Sequence, residues 1–230
     1  PQNESAASGW GLFFALLFYS IAHLMMLNGV QLFAKDMFCT RYYNGCPTEA
    51  KMALAKSKAT QLIFGIFAYP NFVPLFATPI LTSLSDSIGR RPILLFGAIV
   101  QLLAPLSWVL FFWPGFECPL EIVYALMILS GVGGRRNTFV AMCFSRASDV
   151  TTSVQRPVKF MNLQGADFIG LAVGPLLAGG LSTFHPIVVF AAATFFLILS
   201  LVSICLIQER KHESLPAAWK KFDLCAPFQR

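Results

Sequence analysis

Six apolar runs constrain this chain more than any other feature: residues 10–33, 60–84, 92–114, 120–144, 160–181 and 186–207. Each is close to the roughly 20 residues an α-helix needs to cross about 30 Å of hydrocarbon. In lipid every backbone N–H and C=O must be satisfied within the protein, so segments of this length and composition are helices and not strands. The expectation is an all-α membrane protein: a tail at 1–9, a six-helix bundle at 10–208 and a linker at 209–230. Pro70, Pro74, Pro79, Pro105 and Pro175 fall inside the runs. Transmembrane helices tolerate proline as a kink, so these read as bends rather than ends.

Composition agrees. Only 12% of the residues are charged, against about a quarter in soluble domains, and the mean hydropathy is +0.65. Such a chain cannot cover itself with polar surface. The net charge of +6 does not point to nucleic acid, because Lys and Arg are dispersed among short connectors instead of forming one basic soluble face. The six cysteines lack the paired spacing of a zinc site, so no metal or other cofactor is expected. The chain begins at Pro1, and the expectation is a processed or incomplete product whose first run is a signal anchor.

Short-connector Lys and Arg favour the cytoplasm. They stand between runs two and three (Arg90, Arg91), between four and five (Arg146, Arg156, Lys159), and after run six (Arg210, Lys211, Lys220, Lys221, Arg230). Both termini are therefore expected in the cytoplasm, although the outer loop at 34–59 carries Lys35, Arg41, Lys51, Lys56 and Lys58. The same orientation puts Cys39, Cys46 and Cys118 in an oxidising compartment, where Cys39 and Cys46 form either a bridge or free thiols. It leaves the Asn3-Glu4-Ser5 glycosylation pattern on the cytoplasmic side.

The stretch LSDSIGRRP at 84–92 lies between two runs. Gly89 permits a tight turn, and Asp86, at the end of one helix, can pair with Arg90 or meet a neighbouring helix N-terminus. Read alone, it also suits an ordinary basic loop that anchors topology. With Leu84, Asp86, Gly89, Arg90 and Arg91 it resembles the G-x-L-x-D-R/K-x-G-R-R/K connector of the major facilitator superfamily, with Thr82 in place of the first glycine and Ser87 in place of a basic residue. The fifth run holds Gly170, Gly174, Pro175, Gly179 and Gly180. These resemble the G-x-x-x-G-P-x-x-G-G signature of that family's proton-coupled antiporters, with Ala178 replacing one glycine. Small residues spaced by four let helix backbones approach closely, and the Gly-Pro pair supplies a bend. Asp149 and Arg156 are similar to an acidic and basic pair of the family.

The resemblance implies one six-helix half of a secondary active, proton-coupled transporter working by alternating access. Its partners would be the lipid bilayer, a small-molecule substrate, protons, and a second six-helix half in the same chain or a dimer mate. No enzyme is implied. A receptor or scaffold retaining the fold is the alternative. Ionisable groups within a bilayer mark a cavity, a pair or a pathway. Arg135 and Arg136 in the fourth run and Asp167 in the fifth lie at similar depths, so Asp167 is expected to pair with one arginine and leave the other facing the cavity. A structural pair or an irregular junction at 133–136 is the competing reading. Softer cavity candidates are His23, Asn28 and Gln31, then Gln61, Asn71 and Gln101.

Overall fold

The computed structural model describes residues 2–39, 49–113 and 119–207. Eight α-helices are present among them: α1 (Gln2–Met37), α2 (Glu49–Ile88), α3 (Arg90–Gln101), α4 (Leu103–Phe112), α5 (Leu120–Ser130), α6 (Arg135–Val150), α7 (Arg156–Leu181) and α8 (Pro186–Cys205). The described residues contain no strand. Among the described residues, four stretches are long and apolar enough to cross a membrane by themselves: Trp10–Ala34, Arg90–Phe112, Arg156–Leu181 and Pro186–Cys205. The second run lies within the 40-residue α2. The fold is thus an all-α membrane half-bundle, and the linker expected at 209–230 lies outside the described residues.

Two runs are not single helices. The third divides into α3 and α4 around Leu102, because Pro105 has no N–H to offer the carbonyl of Gln101 four residues earlier. The fourth divides into α5 and α6 around a 3₁₀ turn at Gly131–Gly133. Gly134 then sits in the left-handed region at φ 78° and Arg135 follows at φ 55°. The sequence leaves open a continuous fourth helix or an irregular junction at 133–136; the structure has the junction, and the glycines supply the freedom to break the helix. By contrast α2 remains helical through Pro70, Pro74 and Pro79, and α7 through Pro175, so these prolines are not ends. The charged segment expected as loop also differs: from Glu49 onward it is the first turns of α2. Its sequence EAKMALAK is made of strong helix formers.

Within a bilayer, helices gain little from hiding apolar surface from lipid, and close packing decides their association. The central element is α1, which packs most extensively on α7 and α8. A Cβ added at Gly170 would lie 2.6 Å from Ser20 Cβ, and one at Gly174 would lie 2.8 Å from Leu24 Cβ and 2.9 Å from the Ile21 carbonyl oxygen. Ala178, also on this face, is fully buried. Gly179 and Gly180 face open space with nothing within 4 Å of an added Cβ. The expected small-residue face is therefore Gly170, Gly174 and Ala178, and the closing glycines do not belong to it. A four-residue step keeps a side chain on one helix face, whereas Gly179 and Gly180 are rotated off it.

One end of the bundle is fastened by aromatic packing: Trp108 stacks on Phe190 at 5.6 Å between ring centroids, and Phe112 on Phe190 at 5.7 Å. The other end carries the core of Leu16, Tyr19, Leu94, Met142, Leu197 and Ile204. Cys39 is disulfide-bonded, whereas Cys143 and Cys205 are free. Cys46 and Cys118 lie outside the described residues.

Candidate functional site

At the end of the bundle where α2 meets α3, Gly89 takes φ 105°, a conformation that glycine adopts at no steric cost. It positions Arg90 between two carboxylates. Arg90 Nη2 lies 2.9 Å from Asp86 Oδ1, and Arg90 Nε donates to Asp149 Oδ2 at 2.5 Å. Arg91 Nη2 donates to the carbonyl of Cys205 at 2.8 Å, near the end of α8. Arg156 donates to the Ser148 carbonyl at 3.3 Å. The connector thus ties α2, α3, α6 and α8 at one face. Both carboxylates are exposed, Asp86 by 65% and Asp149 by 38%, so each pair contributes at most about 1 kcal/mol and exchanges readily with water. Such contacts suit a latch better than a permanent strut.

Deeper in the bundle lies a cavity of about 750 Å³. Its polar lining comprises His23 of α1, Asn71 and Thr78 of α2, and Arg135, Arg136 and Asn137 at the start of α6. Leu24, Leu27, Pro74, Leu75 and Pro79 supply the apolar wall. Local backbone explains how two arginines come to a wall inside a membrane bundle. A left-handed residue with a side chain costs roughly 1–2 kcal/mol, and Gly134 and Arg135 adopt that region in succession. This turn ends the 3₁₀ segment and begins α6 with Arg135 and Arg136. Arg135 Nη1 donates to Asn71 Oδ1 at 3.3 Å. Arg136 Nη2 lies 2.5 Å from Asp167 Oδ2. The other carboxylate oxygen of Asp167 accepts from Ser20 Oγ at 2.5 Å. Asp167 is buried behind the cavity and Ser20 is completely buried, so α1, α6 and α7 share one polar node.

The remaining candidates fall elsewhere. His23 is buried, lies on the cavity wall and stacks on Tyr19, with the ring planes 10° apart. Asn28 donates to the carbonyl of Leu24 one turn earlier on its own helix and does not line the cavity. Gln31 is exposed near the far end of α1 and also lies off the cavity. Gln61 lines a second, smaller cavity of about 480 Å³, and Gln101 is buried at the break between α3 and α4. Sequence reasoning missed Thr78, Asn137 and Ser20. Asn137 directly follows the two arginines, and that adjacency is the one signal that pointed to it. Among the described residues, no cluster of His, Cys, Asp and Glu is arranged to hold a metal ion.

A family model described as Major Facilitator Superfamily matches residues 12–227. The chain is 36% identical over 151 residues to the class H tetracycline resistance protein of Pasteurella multocida, covering 65% of this chain and 35% of that protein. It is 34% identical over 155 residues to the class B tetracycline resistance protein of Escherichia coli, with 65% and 35% covered. Among solved structures, the human organic anion transporter MFSD10 superposes with a TM-score of 0.61 at 16% identity, covering 89% of this chain and 48% of that one. At that identity the likeness speaks to fold alone. The chain spans about a third of the length of these two relatives and about half of that structure. With most of its length, residues 12–227, inside the family match, the chain belongs to the major facilitator superfamily.

Proposed function

We propose that residues 10–208 form the amino-terminal half of a secondary active transporter that moves a small organic solute in exchange for, or together with, protons. The observation that carries this reading is the cavity between α1, α2 and α6, with charged and amide groups held inside a membrane bundle. Charge at that depth is expensive and is retained where it serves a solute or ion path. The relatives named for tetracycline resistance support a drug-sized organic solute, and the cavity is large enough for one. A second six-helix bundle completes the path in this proposal, because substrate sites of this architecture lie near the midplane between two repeats that rock against each other. The linker would start near residue 209 and both termini would be cytoplasmic. The Arg90 contacts to Asp86 and Asp149 would then latch the inner face when the path opens outward.

The test is flux. The full reading frame that encodes this chain is reconstituted in liposomes, a proton gradient is imposed, and uptake of a solute panel that includes tetracycline is followed. Gradient-dependent uptake of at least one solute, abolished by a protonophore, is expected. No gradient-dependent uptake across the panel would favour a receptor or scaffold that keeps the fold.

A further inference from the structure

Arg135 is 6% exposed, forms its hydrogen bond with a neutral amide, and has no ion-pair partner among the described residues. Its neighbour Arg136 is already neutralised by Asp167. Among the described residues, no acidic side chain lines the cavity. The wall built by this chain therefore presents one uncompensated positive charge, from Arg135, over an apolar surface of Leu24, Leu27, Pro74, Leu75 and Pro79. A buried guanidinium left without a counter-charge is unfavourable, and a carboxylate is the partner its planar fork fits best. The backbone strain at Arg135, φ 55°, is a further reason to read the residue as placed for use, since strained residues collect at ligand sites.

We infer that the cavity takes an organic monoanion, one carboxylate or sulfonate on an apolar body, with the acid group on Arg135 and the body against Leu24, Leu27 and Leu75. The inference rests on the reading of this cavity as the substrate site. Histidine and asparagine beside the arginine, His23 and Asn71, add hydrogen-bonding capacity without adding a fixed charge. Specificity then comes from charge sign, because a cation would meet Arg135 with no compensating acid on this wall.

Three probes with one apolar body separate the possibilities: 2-naphthoate, 2-naphthamide and 2-naphthylmethylammonium. Equilibrium binding to the detergent-solubilised full-length protein is measured without any proton gradient, for the unaltered protein and for Arg135→Gln and Arg135→Lys. Naphthoate should bind about 10-fold or more tightly than the amide and the ammonium, as expected of a charge-assisted pair with a guanidinium that is largely buried. Arg135→Gln should erase that preference, and Arg135→Lys should keep the sign of the preference with reduced strength. Equal binding of all three probes, tighter binding of the cation, no binding of any probe, or a preference for naphthoate that survives in Arg135→Gln would overturn the inference. Arg135→Lys preserves the charge and so keeps the test decisive if Arg135→Gln fails to fold. Loss of the preference with gradient-driven flux intact removes the anion site and leaves the transporter reading standing. Naphthoate preference without flux of any solute does the reverse.

Discussion

Replacing Gly174 with valine is expected to prevent the bundle from closing, at a cost of roughly 3 kcal/mol, the upper end of the usual overpacking range. Even the first carbon of a side chain there would stand 2.9 Å from the Ile21 carbonyl oxygen and 3.3 Å from the Met25 amide nitrogen. Both atoms are backbone of α1 and cannot rotate away. Because α1 is the element around which α7 and α8 pack, its displacement loosens the whole structure. Gly179→Val, five residues along the same helix, is the matched control: nothing lies within 4 Å of its Cβ, and valine is a better helix former than glycine. Thermal unfolding followed by size-exclusion chromatography should show a large loss for Gly174→Val and little or no loss for Gly179→Val. Similar melting of the two variants would show that this face of α7 does not set the approach to α1.

The second large effect is expected at Asp167. Its side chain is 5% exposed and joins Arg136 to Ser20. Asp167→Ala leaves the Arg136 guanidinium without its counter-charge and Ser20 without its acceptor. Breaking one side of a buried pair costs about 3–5 kcal/mol, whereas replacing both partners with neutral groups costs far less. Asp167→Asn combined with Arg136→Gln should therefore melt closer to the unaltered protein than Asp167→Ala does. A double-mutant cycle over Asp167→Ala and Arg136→Gln should return a coupling well above the roughly 0.2–1 kcal/mol of an exposed pair. Coupling within that small range would mean that water reaches the pair and screens it.

The parts of this molecule that were legible in its sequence are those governed by a single segment. Apolar length identified the runs, and the connector at 84–92 announced the turn at Gly89. Counting residues along the runs also set Asp167 level with Arg135 and Arg136, and Asp167 meets Arg136. Legibility failed where several helices or an exact backbone state decide. The Gly133-Gly134 pair offered an irregular junction as one reading, but the break at Gly131–Gly134 depends on two left-handed residues, Gly134 and Arg135, and no periodicity selects that state. Ala178 read as a departure from a glycine pattern, yet it is fully buried four residues beyond Gly174, whereas a Cβ at Gly179 or Gly180 would meet nothing within 4 Å. Thr78 reaches the cavity because α2 passes beside α6, where its hydroxyl meets that of Thr138 at 2.6 Å. Such a neighbour cannot be found from spacing along one chain segment. Asn28 and Gln31 show the converse: polar residues in an apolar run, one serving its own helix and the other lying at the exposed end.

In the proposed transporter, the cavity beside Arg135 belongs to a path opened alternately to the two sides of the membrane. Leu75 lines that cavity and is exposed, whereas Ala104 is fully buried in the bundle. Leu75→Cys and Ala104→Cys, each as the sole free cysteine of the full-length protein in liposomes, are offered a membrane-impermeant maleimide from inside or outside under a proton gradient of either direction. Alternating access predicts that Leu75→Cys labels from both sides, that reversing the gradient reverses which side is faster, and that Ala104→Cys remains unlabelled. Labelling of Leu75→Cys from one side alone whatever the gradient, or no faster than Ala104→Cys, would contradict it.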